Sequence, residues 1–344
     1  MPQVSKMILA SLQLKNFRNY RKKMVVLTDN TTLIVGDNGA GKTNILEAVY
    51  LLATGKSFRA TREDQMIFYG ENLTRVVGQA SEELEIRLTG GQKRYLVNGV
   101  GKRRMDFVGI LRSVLFRPED IELTLGSPKI RRDYLDSVLE QTDREYRRSN
   151  LSYQKGLRQR NKLLEKIREG EGERKQLIFW DQMLIKNGDI VAGKREEFLG
   201  FISEGLAKRG LGLKLAYDKS VISVSRLKQY ETQEVAAATT LVGPHRDDFG
   251  FISRRPGKAE KNLSLYGSRG EQRIAVFAVK LIELEFVAEK SETRPVLLLD
   301  DIFSELDARH RQEVVKLLAK QQTIITATDE AMLPKSAHAE VVRL

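Results

Sequence analysis

Thr32-Leu-Ile-Val35, Gly36-Asp-Asn-Gly-Ala-Gly-Lys42-Thr43 and Asn44-Ile-Leu-Glu-Ala-Val-Tyr-Leu-Leu52 follow one another without a break. The first is an apolar run of strand length, the second matches G-x-x-x-x-G-K-[ST], and the third reads as a helix. Strand, glycine loop and helix in this order are the context in which the pattern holds a phosphate. Backbone N–H groups of Gly36, Asp37, Asn38, Gly39, Ala40 and Gly41 close on the anion, and the helix N-terminus adds its partial positive charge. Lys42 is placed to reach β- and γ-phosphates, and the Thr43 hydroxyl to enter a Mg²⁺ shell. The expected cofactors are ATP and Mg²⁺.

A second element lies 258 residues after Lys42. Pro295-Val-Leu-Leu-Leu-Asp300-Asp301 is apolar on both faces and reads as a buried central strand of a parallel sheet. Ligands of such sheets gather at the carboxyl ends of strands, where these two carboxylates stand. Asp300 suits Mg²⁺, as a Walker-B Asp does, and Asp301 suits an attacking water. Asp also caps helices after strands, but the upstream loop favours the metal and catalytic reading. Between the two elements, Tyr266-Gly-Ser268-Arg-Gly270-Glu271-Gln-Arg273 opens an apolar helical segment running to about Glu289. Ser268 and Gly270 there offer a hydroxyl and unpaired N–H groups to an anion. Ser304-Glu305-Leu306-Asp307 follows the acidic pair.

This order of pieces resembles an ABC-type ATPase head of the SMC/Rad50 kind, with Ser268–Glu271 as the signature and Ser304–Asp307 as the D-loop. Within that group it is similar to the bacterial RecF family. The resemblance is carried by Leu14-Lys-Asn-Phe-Arg-Asn-Tyr20, Gly55-Lys-Ser-Phe-Arg59, Leu115-Phe-Arg-Pro-Glu-Asp120, Gly126-Ser-Pro, Arg131-Arg-Asp-Tyr-Leu-Asp136, Gly243-Pro-His-Arg-Asp-Asp248 and Gly267–Gln272, spread over nearly the whole chain. It implies an α/β fold: an ATPase head with a P-loop sheet core and an inserted, mostly helical arm. It also implies that Asn16 and Arg18 lie near the base or α-phosphate. Two features depart from the broader ABC pattern. Asp301 stands where transporter-like ATPases carry Glu, which points to slow hydrolysis. Thr323-Ile-Ile-Thr-Ala-Thr-Asp329 offers only Thr or Asp in place of the switch histidine, and Leu115–Asp120 offers Arg117 and Glu119 in place of the Q-loop glutamine.

The expected division is an N-terminal head part over 1–130, an arm over 131–240 and a C-terminal head part over 241–344. Residues 131–168 carry apolar side chains at 135, 139, 146, 153, 157, 164 and 167, a coiled-coil-like seam. Glu169-Gly-Glu-Gly-Glu-Arg174 breaks it, and Leu177, Trp180, Leu184, Ile190, Val191, Phe198 and Ile202 continue a similar seam. The simple solution is a short antiparallel hairpin of helices, each roughly 50 Å long at ~1.5 Å per residue. Trp180 reads as core and His245 as a structural hydrogen-bonding group. With no cysteine, no disulfide, thiolate metal site or zinc hook can form.

The chain has 344 residues, 41% of them hydrophobic, and a net charge of +12. No apolar stretch is long enough to cross a membrane and no signal pattern opens the sequence, so a cytoplasmic, nucleoid-associated protein is expected. The positive balance favours a polyanionic partner. Residues 147–175 alone carry net +6 on 29 residues. Lys102-Arg103-Arg104 forms a second group, on a hairpin turned at Asn98-Gly99, and Arg254, Arg255, Lys258 and Lys261 a third. No base-reading module is present, so DNA contact is expected to be phosphate-driven, salt-sensitive and indifferent to sequence.

The resemblance implies a mechanism. Two chains pack head to tail on ATP, with Ser268 and Gly270 of one capping the γ-phosphate held by the other. Hydrolysis through an Asp301-oriented water then releases the dimer. It also implies ATP-dependent binding to gapped DNA and help in loading recombinase, with RecO and RecR as partners. Lys42, Asp300, Asp301 and Ser268 are the expected catalytic set. Two rivals are a transporter's nucleotide-binding subunit, which the long separation of motifs disfavours, and an ATP-gated protein scaffold without DNA.

Overall fold

The computed structural model of the chain describes residues 5–254, 257, 259–304, 308–333 and 337–344. They form two compact units: the residues up to Asp120 together with Glu283–Leu344, and Ile121–Ile282.

In the first unit, five parallel strands lie in the order Glu340–Arg343, Thr31–Val35, Thr323–Ala327, Val296–Asp300, Ser113–Phe116. Val296–Asp300 and Thr323–Ala327 are buried along their whole length, as strands covered on both faces must be. A six-stranded antiparallel sheet runs in the order Tyr20–Val26, Ser11–Phe17, Leu73–Gln79, Glu83–Thr89, Gln92–Val97, Val100–Lys102. The P-loop helix Lys42–Thr54 touches strands of both sheets. Ile45, Leu46, Ala48, Val49, Leu51, Leu52 and Ala53 are accordingly buried all round the helix. At Gly78 a Cβ would lie 2.6 Å from Leu52 Cδ1, so this strand lets the helix approach as only glycine allows. The hairpin expected at Asn98-Gly99 is present, both residues having positive φ (50° and 76°), as a type I′ turn needs. Lys102 ends its last strand, while Arg104 opens the short helix Arg104–Phe107.

The second unit holds the helices Pro128–Thr142, Arg144–Arg168, Leu177–Lys208 and Val224–Ala237. The expected hairpin is Arg144–Arg168 against Leu177–Lys208, roughly 37 and 48 Å long at ~1.5 Å per residue. Its seam is buried at Tyr153, Leu157, Leu164, Leu184, Val191, Phe198 and Ile202. The single helix expected over 131–168 is instead two. Asp143 is extended (φ −131°) and its carboxylate accepts the Tyr146 N–H at 2.9 Å, capping a new helix. Trp180 is not core: it is half-buried, edge-on to the exposed Phe179 ring at 4.9 Å.

The unit's limits differ from 131–240 for a physical reason. The strand Leu213–Asp218 pairs along its length with Asp248–Ser253, and Arg131 clamps Asp248 through Nε (2.5 Å) and Nη2 (2.8 Å). The polypeptide around residue 240 is thus inside the unit, not at its border. A buried polar network adds to this tie. Arg195 donates to Asp136 Oδ1 (2.8 Å), Asp247 Oδ2 (3.0 Å) and the Pro244 carbonyl (2.7 Å). Tyr217 donates to Asp247 as well.

Candidate nucleotide site and signature segment

The P-loop runs from the strand end at Val35 to the helix start at Lys42. Gly39 and Gly41 have φ of 85° and 107°, the left-handed backbone that lets the loop curl. At Gly41 there is no room for a side chain either: a Cβ would lie 2.5 Å from Tyr20 Oη and 2.7 Å from Asn19 Nδ2. Those two side chains both donate to the Ala40 carbonyl, Asn19 at 3.2 Å and Tyr20 at 3.4 Å. They fix the loop from outside, and their place in the sequence just after a strand turn gave no sign of it. The Lys42 ammonium, almost fully buried, donates to the carbonyls of Gly36 (2.8 Å) and Asp37 (3.2 Å) and so is held within the loop.

The two distant motifs meet. Thr43 Oγ1 donates to Asp300 Oδ1 at 2.9 Å, and Thr326 Oγ1 donates to the same oxygen at 2.8 Å. Burial pushes the Asp300 carboxyl above its ordinary range; the two hydroxyls oppose this, and the negative charges of Asp301 and Glu119 add to it. Asp301 leaves the strand with φ 47°, a left-handed conformation that Asp tolerates better than most residues, and its N–H donates to Thr326 Oγ1 at 3.0 Å. Thr326 therefore holds both acidic residues. It stands in the segment that lacks a switch histidine, and its role depends on strand register, which pairs it with Asp300. No group of three or more metal-ligating side chains occurs among the described residues. One carboxylate beside one hydroxyl is nonetheless the donor set Mg²⁺ takes when phosphates complete its shell, so Thr43 and Asp300 fit the ion.

Beside the loop is a cavity of about 810 Å³, lined among others by Arg18, Asn19, Asn44, Arg59, Gln65 and Tyr69. Arg18 (φ 53°) is clamped by the fully buried Glu47 through Nε at 2.8 Å and Nη2 at 2.5 Å. Ser57 donates to the same carboxylate, and Arg59 Nη1 donates to Asn44 Oδ1 at 3.0 Å. Gly55–Arg59 and Arg18 are thus drawn to one side of the P-loop helix. Asn16 is not among the lining residues; its amide donates to Glu71 Oε2 at 3.1 Å, and Glu71 does line the cavity. Of the Q-loop region, Arg117 stacks over the Phe58 ring at 4.8 Å and its N–H donates to Asp120.

In the second unit, Ser268 precedes the helix Arg269–Ser291, which opens within the Tyr266–Arg273 stretch. Ser268 Oγ receives the Glu271 N–H at 3.3 Å, and Glu271 Oε2 receives the Ser268 N–H at 2.9 Å. This is a reciprocal cap of the S-x-x-E kind. Ser268 and then Lys261 hold the Glu271 carboxyl down at about 2. Gly270 is exposed with open space around its Cα, as are the neighbouring Leu265 and Tyr266. Of the expected D-loop, Ser304–Asp307, residues 305–307 lie outside the described residues. His245 is structural: Nε2–H donates to the Thr240 carbonyl at 3.0 Å and Nδ1 accepts the Tyr153 hydroxyl at 2.8 Å. Burial draws its pKa down to about 4. No helix among the described residues is long and apolar enough to cross a membrane.

The RecF/RecN/SMC N-terminal domain family matches residues 8–344. The DNA replication and repair protein RecF of Bacillus thuringiensis (strain Al Hakam) is 34% identical over 350 residues, covering 94% of this chain and 92% of that protein. The chain belongs to the RecF family. A solved structure of the recombination mediator protein RecF with ATP, in the RecFOR pathway, matches with a TM-score of 0.87 at 32% identity, over 96% of this chain and 94% of that one. An Smc head bound to a domain of ScpA shares the fold, with a TM-score of 0.51 at 18% identity over 94% of this chain and 90% of that one. The α/β ATPase-head architecture with a helical arm is thereby established.

Proposed function

We propose that the chain is an ATP-dependent DNA-binding protein of recombinational repair, which dimerises on ATP and hydrolyses it slowly to let go. The observation that carries this is the 2.9 Å bond between Thr43 and Asp300, which brings together two motifs 257 residues apart, the phosphate loop and the acidic pair, in a RecF-family chain. Gly36 to Thr43 bind the triphosphate, and the cavity beside Arg18 takes the base and sugar, with Asn16 steadying its rim through Glu71. When bound at Thr43 and Asp300, Mg²⁺ supplies charge neutralisation on the phosphate oxygens. Asp301 holds the attacking water, and the shortness of Asp relative to Glu keeps turnover slow.

Ser268 and Gly270 act in trans, capping the γ-phosphate of the other copy. ATP is then interfacial glue, and function comes from a shift between separate and paired chains. DNA is gripped through phosphates at single-strand gaps in the nucleoid, and RecO and RecR are the partners with which recombinase is loaded. Similarity to a recombination mediator solved with ATP, itself part of the RecFOR pathway, supports this reading.

Light scattering with and without ATP tests it directly. Wild type is expected to pair only with ATP. Ser268→Arg is expected to bind ATP and stay single, and Asp301→Asn to pair and fail to separate. A Ser268→Arg protein that still pairs on ATP refutes the head-to-tail arrangement.

A further inference from the structure

The charge run at 147–175 is not one surface. Arg147 and Arg160 are buried, the first donating to the Glu140 carbonyl and the second paired with Asp181 and Glu234. What is left on the outside of the helix Arg144–Arg168 is a row: Arg148, Leu151, Lys155, Arg158, Lys162 and Lys166, all exposed. Steps of three and four residues keep them on one face. At ~1.5 Å per residue the row is roughly 27 Å long. Its opposite face, with Tyr153, Leu157, Arg160 and Leu164, is buried in the hairpin and holds the rod straight.

Among the described residues, none of the five cations in the row has a hydrogen-bond or ion-pair partner. Nearby acids are engaged elsewhere: Glu145 with Lys194, Glu173 with Lys175, Glu231 with Arg174. Glu165 is the one carboxylate within the row's span. Like charges aligned on a stiff helix without counter-charges repel one another, and a linear polyanion relieves them. A protein partner would call for buried aromatic or apolar anchors, and the row has only Leu151. A single strand would call for stacking rings, and the row has none.

Resting on the DNA-binding reading above, we infer that the outward row Arg148–Lys166 is the surface that grips the phosphate backbone of duplex DNA. The grip is made by point charges and reads no sequence.

The test uses the full chain, ATP and a fluorescent duplex, with anisotropy measured across a salt series. Each phosphate contact contributes about 0.9 to the log–log salt slope. Lys155→Ala, Arg158→Ala, Lys162→Ala and Lys166→Ala together should flatten the slope by about 3.6 and weaken low-salt binding more than about tenfold. Affinity for a fluorescent ATP analogue should be unchanged. The charge-keeping set Lys155→Arg, Lys162→Arg and Lys166→Arg should bind duplex like wild type, which separates charge from fold. An alanine set with wild-type affinity and slope overturns the inference and leaves DNA binding by the protein intact. Loss confined to single strands overturns it too. If wild type itself ignores duplex at low salt with ATP, the DNA-binding reading fails before any variant is needed.

Discussion

Asp300 is caught between two environments. Burial disfavours its charge, whereas two hydroxyls favour it, as would the cation of the proposed site. Asp300→Asn should therefore stabilise the nucleotide-free protein, raising its melting temperature by roughly 2 °C, while abolishing the added stabilisation by Mg-ATP; scanning calorimetry with and without Mg-ATP measures both. Thr326→Val removes the hydroxyl that touches Asp300 and the Asp301 N–H, and should leave ATP affinity intact while slowing turnover about tenfold, a barrier change of about 1.4 kcal/mol. Unchanged turnover would show that Thr326 is only packing. Lys42→Ala should lose ATP binding outright by the same fluorescent titration. At this scale the P-loop and the acidic pair were legible because local spacing specifies them. Thr326, Asn19 and Tyr20 were not, because their roles arise from strand register and from a turn folding back on the loop.

The helix Arg269–Ser291 starts with a residue that has two duties. Ser268 caps it, and in the proposed dimer it also meets a phosphate in trans. Ser268→Ala should cost about 1 kcal/mol as a lost cap, whereas Ser268→Asp keeps the cap and sets a negative charge against the phosphate. Comparing denaturant midpoints with ATP-driven pairing separates the duties: both variants fail to pair, and only the alanine variant loses stability. Equal stability of the two would show that the cap contributes nothing. The hairpin was legible from its seam and its glycine break. The kink at Asp143 was hidden, since the apolar spacing continues across it without proline or glycine and a single side-chain bond decides the matter. The six-stranded sheet also went unread beyond its last hairpin: its edge strand Tyr20–Val26 carries Arg21, Lys22 and Lys23, which mask any alternation.

Across the whole molecule, stability should depend on pH through His245. Its pKa is about 4 in the folded chain against an ordinary 6.5, so between these values only the unfolded chain takes up the proton. The contribution is complete above pH 6.5 and is lost as pH falls towards 4. At about 1.4 kcal/mol per pKa unit it amounts to on the order of 3 kcal/mol. His245→Gln should flatten the pH dependence of the unfolding free energy over that range, so that the wild-type-minus-variant difference shrinks as pH falls from 6.5 towards 4, and a difference independent of pH would discard the assignment. Helical content was legible at this scale, but the limits of the second unit were not, because a strand pair and an Arg131–Asp248 clamp close a long loop that sequence spacing left open. The Thr43–Asp300 bond has a consequence in time as well as space. The ribosome adds about 5–20 residues per second, so roughly 13 to 50 seconds pass between synthesis of the phosphate loop and of its acidic counterpart. Throughout that interval a growing chain carries the phosphate loop without the carboxylate to which Thr43 donates, so the proposed site would be assembled only after Asp300 has been made.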